Sequence, residues 1–296
     1  MDQIPADVTE WIRKVFRDCN ERITEKLSNN PNIPEESLDQ TWIEQVSQYS
    51  SPITLTSSWT VKLDTHYLGG LRHFGGWEVA DIGILVFFRR AGIVTRSKVA
   101  LLQSKRLYPS NNTVQEDDIV DYQIGFARLA DPESLQQSVA VQAEFYFDEQ
   151  CRYGALMSKS PQAKAIAEYQ SENKIPIYYQ FYNPWTVPFT QRIPLSRFIR
   201  PSGELGVGTR IIPAKDIHLV LDPLNAGQKP RLEQVKSLCP GHSFGWPLEF
   251  FVADLLLQCK EGEKFKDISE RRIQNLFYRR SGPISAAIAI SIEAPE

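Results

Sequence analysis

A chain of 296 residues with 33 Lys+Arg, 36 Asp+Glu and a formal charge of −3 is 42% hydrophobic and 11% aromatic, a composition that excludes intrinsic disorder. Its longest apolar stretch, Ile82 to Phe88, falls far short of the roughly 18 residues of a membrane span. The start, MDQIPADVTEW, lacks the basic flank and apolar core of a signal peptide, so a cytoplasmic protein with no membrane partner is expected.

Along the chain, Val8, Trp11, Ile12, Val15, Phe16, Cys19, Ile23 and Leu27 recur at three- and four-residue steps and predict a first helix with one buried stripe. NNPNIP ends it. A second amphipathic helix is predicted over Ser37 to Tyr49, with Leu38, Trp42, Ile43 and Val46 on one side and Pro34, Glu35 and Glu36 at its start. The period then changes to alternation: Trp59, Val61 and Leu63 form a strand, and LGGLRHFGG turns the chain into a second over Trp77 to Phe88. After the basic loop RRAGIV a third strand runs from Ser97 to Leu107. Short connections suggest that these three strands form a meander behind a helix.

Residues 109–133 are polar and read as an excursion from the core. Ser138 to Phe147 alternates again, SPQAKAIAEYQSENK begins a helix at a Ser-Pro boundary, and IPIYYQFYNP follows as a strand. Beyond Pro184 the sequence predicts an irregular region, an amphipathic helix over Pro247 to Cys259, a basic helix near Ile268 to Arg280 and a final strand in ISAAIAISIEA. The expected domains are an N-terminal helix at 1–33, a core at 34–184 with an insertion at about 109–158, and an accessory region at 185–296.

Charge is segregated. No Asp or Glu falls between Ile82 and Gln115, a window that holds Arg89, Arg90, Arg96, Lys98, Lys105 and Arg106. Two further acid-free windows carry Arg192, Arg197 and Arg200, and Arg271, Arg272, Arg279 and Arg280. A basic face on a mildly acidic protein suits a polyanion.

One constellation carries chemistry: Glu78 and Asp81 on the second strand, and Gln103, Ser104, Lys105 and Arg106 on the third. Side chains two apart on a strand share a face, so Gln103 and Lys105 point the same way and a hairpin neighbour can bring Asp81 beside them at the polar rim of the sheet. An acid, an amide oxygen and a lysine can hold a divalent cation: Asp81 as the anionic ligand, Gln103 and the Ser104 peptide carbonyl as neutral ones, with Lys105 beside a metal-bound water.

This arrangement resembles the PD-(D/E)XK nuclease superfamily, with Gln103-Ser104-Lys105 similar to its Q-x-K variant, known from Mrr-like restriction enzymes and prokaryotic defence nucleases. The resemblance covers about Pro34 to Pro184. It implies an α/β fold with a restriction-endonuclease-like core of helix, three-strand meander, helix and strand, to which this chain adds an N-terminal helix and a C-terminal α+β region. It implies a magnesium- or manganese-dependent nuclease acting on DNA in preference to RNA, in defence against phage or foreign DNA, with partner subunits or self-association as further options. An acid on the first core helix often faces the metal; Glu36 is the choice here, with Glu35 and Glu44 as substitutes. Arg89, Arg90, Arg106 and Gln162 are the candidate nucleic-acid contacts. Two positions depart from the pattern: Ala80 replaces the usual proline, and Gln103 replaces the second carboxylate. The second change removes a negative charge from the metal site, which Glu36 or Glu78 would restore. The alternative is a catalytically inactive nucleic-acid-binding or scaffold subunit with the same fold.

Other signals are weaker. Cys239 and His242 in CPGH have two-ligand spacing but no second pair nearby, and with Cys19, Cys151 and Cys259 scattered, neither a zinc site nor a disulfide framework is expected. His66 and His73 flank the glycine-rich loop and read as loop residues, and the aromatics of YYQFYNPW read as core packing rather than base stacking.

Overall fold

The structure, a computed structural model, describes residues 4–68, 79–111, 143–193, 198–201, 205–237, 244–278 and 282–295. Glu78, His73, Arg197, Cys239, His242, Arg279 and Arg280 lie outside the described residues. The chain opens with α1 (Ala6–Asn29), which buries Val8, Ile12, Val15, Phe16, Cys19, Ile23 and Leu27, the stripe expected from the sequence. Next comes α2 (Glu35–Ser47), which starts two residues earlier than predicted, directly after Pro34. The two helices meet at Phe16 and Trp42, whose rings pack edge to face at 6.1 Å.

A mixed sheet follows. After β1 (Ile53–Thr54) and β2 (Thr60–Tyr67), β3 (Ala80–Arg90) and β4 (Ile93–Tyr108) form a long hairpin closed by Ala91 and Gly92 alone. Both turn residues have positive φ, 50° and 77°, the backbone of a tight hairpin turn that follows the strand twist. The hairpin therefore continues through the stretch expected to be a basic loop.

The short strands β5 (Ala143–Phe147) and β6 (Arg152–Tyr153) lead to α3 (Pro161–Asn173). Ser160 caps this helix, its hydroxyl accepting from Ala163 N, with Pro161 in the first turn as the sequence indicated. α3 delivers the chain into β7 (Ile177–Tyr182), which lies parallel to β4. There follow β8 (Phe189–Ile193), which pairs with β5 outside the main sheet, then β9 (Arg210–Pro213) and α4 (Ala214–Leu221). Then come α5 (Leu232–Lys236), β10 (Trp246–Pro247) and α6 (Leu248–Phe250), the last continuing as a π-helical segment over Phe251–Leu256. The chain closes with β11 (Glu263–Phe265), α7 (Arg271–Gln274) and β12 (Ile284–Ala294). Where a basic helix to Arg280 was expected, α7 is a single turn followed by a 3-10 turn at Asn275–Phe277. Ile273 and Leu276 are its buried apolar residues, too few to stabilise a longer amphipathic helix.

The strand order β1-β2-β12-β3-β4-β7-β9-β10 corrects the expected meander. β12 enters between β2 and β3, antiparallel to the first and parallel to the second. Residue choice explains the fit. Ala286, Ala287 and Ala289 keep β12 slim, and Ile288, Ile290 and Ile292 are fully buried. On β3, a Cβ at Gly83 would stand 3.0 Å from Ile284 Cδ1, so the glycine makes room for the incoming strand. The accessory region thus contributes an internal strand to the sheet.

Helices cover both faces. One face, with Ile84, Val86, Leu102 and Ile290, packs on α1, α2 and α6; the other, with Leu85, Val99 and Leu101, packs on α3 and α4. Among the described residues no helix is long and apolar enough to cross a membrane.

Candidate functional site

Polar side chains gather where β3 begins and β4 ends, beneath the start of α2. One step beyond the Ile82–Leu102 pair of the hairpin, Asp81 Oδ2 accepts hydrogen bonds from Gln103 Nε2 and from Ser104 N, each at 2.6 Å. Gln103 Oε1 in turn accepts from Gln162 Nε2 at 3.4 Å, which places the first turn of α3 against the cluster. Lys105 Nζ donates to Ser104 O at 2.6 Å and to Glu35 Oε1 at 3.3 Å, and the other oxygen of Glu35 accepts from Arg106 N at 2.8 Å. Asp39, one helical turn after Glu35, accepts from the hydroxyls of Ser104 and Tyr182, both at 2.5 Å, and Gln180 Nε2 donates to the Tyr182 hydroxyl.

The structure therefore brings Asp81, Gln103, Ser104, Lys105 and Gln162 together as expected, with Asp81 and Gln162 half-buried. Gln103 and Lys105 are 2% exposed and Ser104 is fully enclosed, so the β4 side of the site lies within the packing rather than on an open rim. On α2, Glu35 and Asp39 reach the cluster. Glu36 is exposed and acts on Asp81 only through its charge, and Glu44 is exposed and pairs with Gln40. The reason is helical geometry: positions 35 and 39 share a face, next to the buried Leu38 and Trp42, while 36 points outward. That four-residue spacing was the available signal for Asp39. Tyr182 and Gln180 were missed because their strand reads as apolar core. Tyr178, Tyr179 and Phe181 are buried as core residues, in keeping with that reading.

The arginines part company with the cluster. Arg106 is 2% exposed; its guanidinium donates to the Ile33 carbonyl and stacks on the Tyr108 ring at 3.9 Å, which withdraws it from any phosphate. Arg89 and Arg90 sit at the other end of β3, roughly 26 Å from Asp81 by strand rise. Arg192 pairs with Glu144, and Arg272 with Glu263 and Glu270. The ring of His66 rests edge-on near Phe277, a packing role.

Three carboxylates face one ammonium in this cluster. Asp39 and Asp81 each keep a strip of accessible surface, yet burial raises both pKa values: Asp81 to about 7, with Lys105 opposing the rise and Glu35 adding to it, and Asp39 well above the ordinary range, with Asp81 adding to it. Burial works against the charge of Lys105, but Glu35 and then Asp81 outweigh it, and its pKa is raised. The Tyr182 hydroxyl is pushed up by burial and by Asp39.

These shifts imply a pH dependence. An acid whose pKa is higher folded than unfolded binds extra protons in the native state, so the stability it contributes is complete below about pH 4 and is lost as pH rises toward 7 and above. Acids nearer the surface with lowered values, such as Asp7 and Asp267, act in the opposite sense. The comparison that isolates the site is therefore wild type against Asp81→Asn, both in chelator. Denaturant titrations from pH 5 to pH 8 should show the variant gaining on wild type as pH rises; a constant difference would contradict the raised value.

No protein-family model, no curated protein and no solved structure matches this chain.

Proposed function

We propose that the chain is a metal-dependent nuclease that hydrolyses DNA phosphodiester bonds, on a core of the restriction-endonuclease type. The observation that carries this reading is the Asp81 carboxylate bonded to Gln103 and to Ser104 N on the neighbouring strand, with the Lys105 ammonium buried beside them. The parallel β4–α3–β7 unit and the acids of α2 support it. The additional strand β12 inside the sheet is a departure that such a core would have to accommodate. The Q-x-K motif supports defence against phage or foreign DNA as the setting.

The donors suit a hard cation. They are oxygens, and their negative charge exceeds the one ammonium, an imbalance that a proton or a divalent cation relieves. Among the described residues no group of three or more His, Cys, Asp or Glu converges closely enough to hold a metal. Magnesium would thus rest on Asp81, with Gln103 and Glu35 nearby and water and phosphate completing its shell, as is usual for this ion. When bound it would supply polarisation of the phosphate and stabilisation of the leaving oxygen. Lys105, kept charged by Glu35, orients the attacking water and offsets charge developing on the phosphate. Asp39 and Tyr182 fix Ser104, and through it the end of β4.

One observation favours the inactive-subunit reading: the oxygens of Gln103 and Ser104 already accept hydrogen bonds from Gln162 and Lys105. Plasmid cleavage titrated with magnesium, with a chelator control, separates the two. In a working site Gln103→Glu lowers the magnesium needed for half-maximal rate, and Gln103→Ala raises it. Cleavage appearing only in Gln103→Glu identifies a decayed site, and an active enzyme indifferent to both changes shows that Gln103 does not touch the metal.

A further inference from the structure

Among the described residues, the outer edge of β4 has no strand beside it between Leu102, where pairing with β3 begins, and Leu107, where β6 takes over; β7 holds the opposite edge through Arg106. Two backbone N–H groups fall in that gap, and each is met by a carboxylate: Ser104 N by Asp81 of β3 at 2.6 Å, and Arg106 N by Glu35 of α2 at 2.8 Å. The second contact has a further donor. Lys105 Nζ, almost wholly buried, reaches the other oxygen of Glu35 at 3.3 Å, longer than the roughly 2.7–2.9 Å of a well-formed charge-assisted bond, while its firmer bond, 2.6 Å, goes to the Ser104 carbonyl. An ammonium and a backbone N–H thus converge on one carboxylate group, and the Arg106 guanidinium is turned elsewhere, to the Ile33 carbonyl.

Glu35 differs from Asp81 in how it is held. It stands in the first turn of α2, directly after Pro34, and 16% of its side chain is exposed, beside the exposed Glu36. Turning it about its own torsions uncovers both donors without moving α2. The two non-bridging oxygens of a phosphodiester share one negative charge, as the two oxygens of a carboxylate do, so the same pair of donors fits either group. We infer that Lys105 Nζ and Arg106 N form the seat of a substrate phosphate, and that Glu35 is its internal competitor, closing the seat until a phosphodiester displaces it. The identity of the anion rests on the nuclease reading; the seat rests on the two donors. The exchange replaces one anion by another on a buried ammonium, so Lys105 is never left without a countercharge.

The test follows the Arg106 amide of the full chain by NMR during titration with inorganic phosphate, in chelator and in mildly acidic buffer, where phosphate is mostly a monoanion like a diester. Glu35→Ala, which frees both donors, should bind phosphate at least about tenfold more tightly than wild type, and Glu35→Gln, whose amide oxygen can still accept from Arg106 N, should fall between them. Adding Lys105→Met to Glu35→Gln should abolish the gain, since the phosphate then has no ammonium to rest on. A response at Arg106 as strong in wild type as in Glu35→Ala, no response in either Glu35 variant, or a gain that survives the loss of Lys105 would each overturn the proposal. The amide spectra establish that each variant is folded, and the near-isosteric Glu35→Gln keeps the comparison open if Glu35→Ala does not fold. Because the titration uses neither metal nor DNA, its outcome is separate from that of plasmid cleavage. Phosphate bound at Arg106 by a protein that never cuts would end the nuclease reading and keep the seat, and cleavage with an unresponsive Arg106 amide would do the reverse.

Discussion

Asp81→Asn is expected to cut magnesium-dependent plasmid cleavage by about a thousandfold, or roughly 4 kcal/mol of transition-state stabilisation. The substitution is chosen for what it keeps. An asparagine oxygen still accepts from Ser104 N, the bond that aligns the two strands at this point, while the anionic charge is gone. It also relieves an excess of buried carboxylate, so the variant should be no less stable than wild type at neutral pH without metal. Cleavage at wild-type rates in Asp81→Asn would end the nuclease proposal.

Lys105→Met should have the largest effect on stability. Its ammonium is 2% exposed and is the countercharge to Glu35, with Asp81 and Asp39 close by. Breaking a buried pair by removing one partner costs about 3–5 kcal/mol, because the remaining charge stays desolvated. Methionine fills similar space, so the loss reports charge rather than a cavity. Denaturation in urea measures it, and adding Glu35→Gln should restore part of the loss through the coupling of the pair. An unchanged midpoint in Lys105→Met would show that the ammonium is not the partner of Glu35 in solution. Cleavage should be lost as well. The sequence alone, which places Lys105 at an open rim, gives no reason to expect this combined effect.

That difference marks what a sequence carries locally. The stripe of α1, the Ser160-Pro161 start of α3, the alternation of β2 and the apolar runs of β3 and β4 are written in neighbouring residues, and each element is found at its expected place, β3 and β4 running on through the expected basic loop. The pairing of Asp81 with Gln103 was legible too, because a hairpin makes register a near-neighbour property. The place of β12 was not legible. Its apolar run signals a buried strand, but only pairing across more than 190 residues of chain sets it between β2 and β3. The burial of Lys105 was hidden for a related reason: it depends on α2 settling over the end of β4, and Glu35 was weighed against Glu36 without knowing which face would be presented.

The position of β12 also orders events during synthesis. β2 and β3 have a face of hydrogen-bonding groups that only the last strand of the sheet satisfies, and that strand leaves the ribosome after every other element described. Until it arrives the nascent chain holds two open edges, each a template for a stray strand. Contacts of such long sequence separation make for slow folding. A chain stopped before Ile284 would therefore lose the middle of its sheet rather than its margin, and ribosome-arrested chains of increasing length should resist protease only once Ala294 has cleared the exit tunnel.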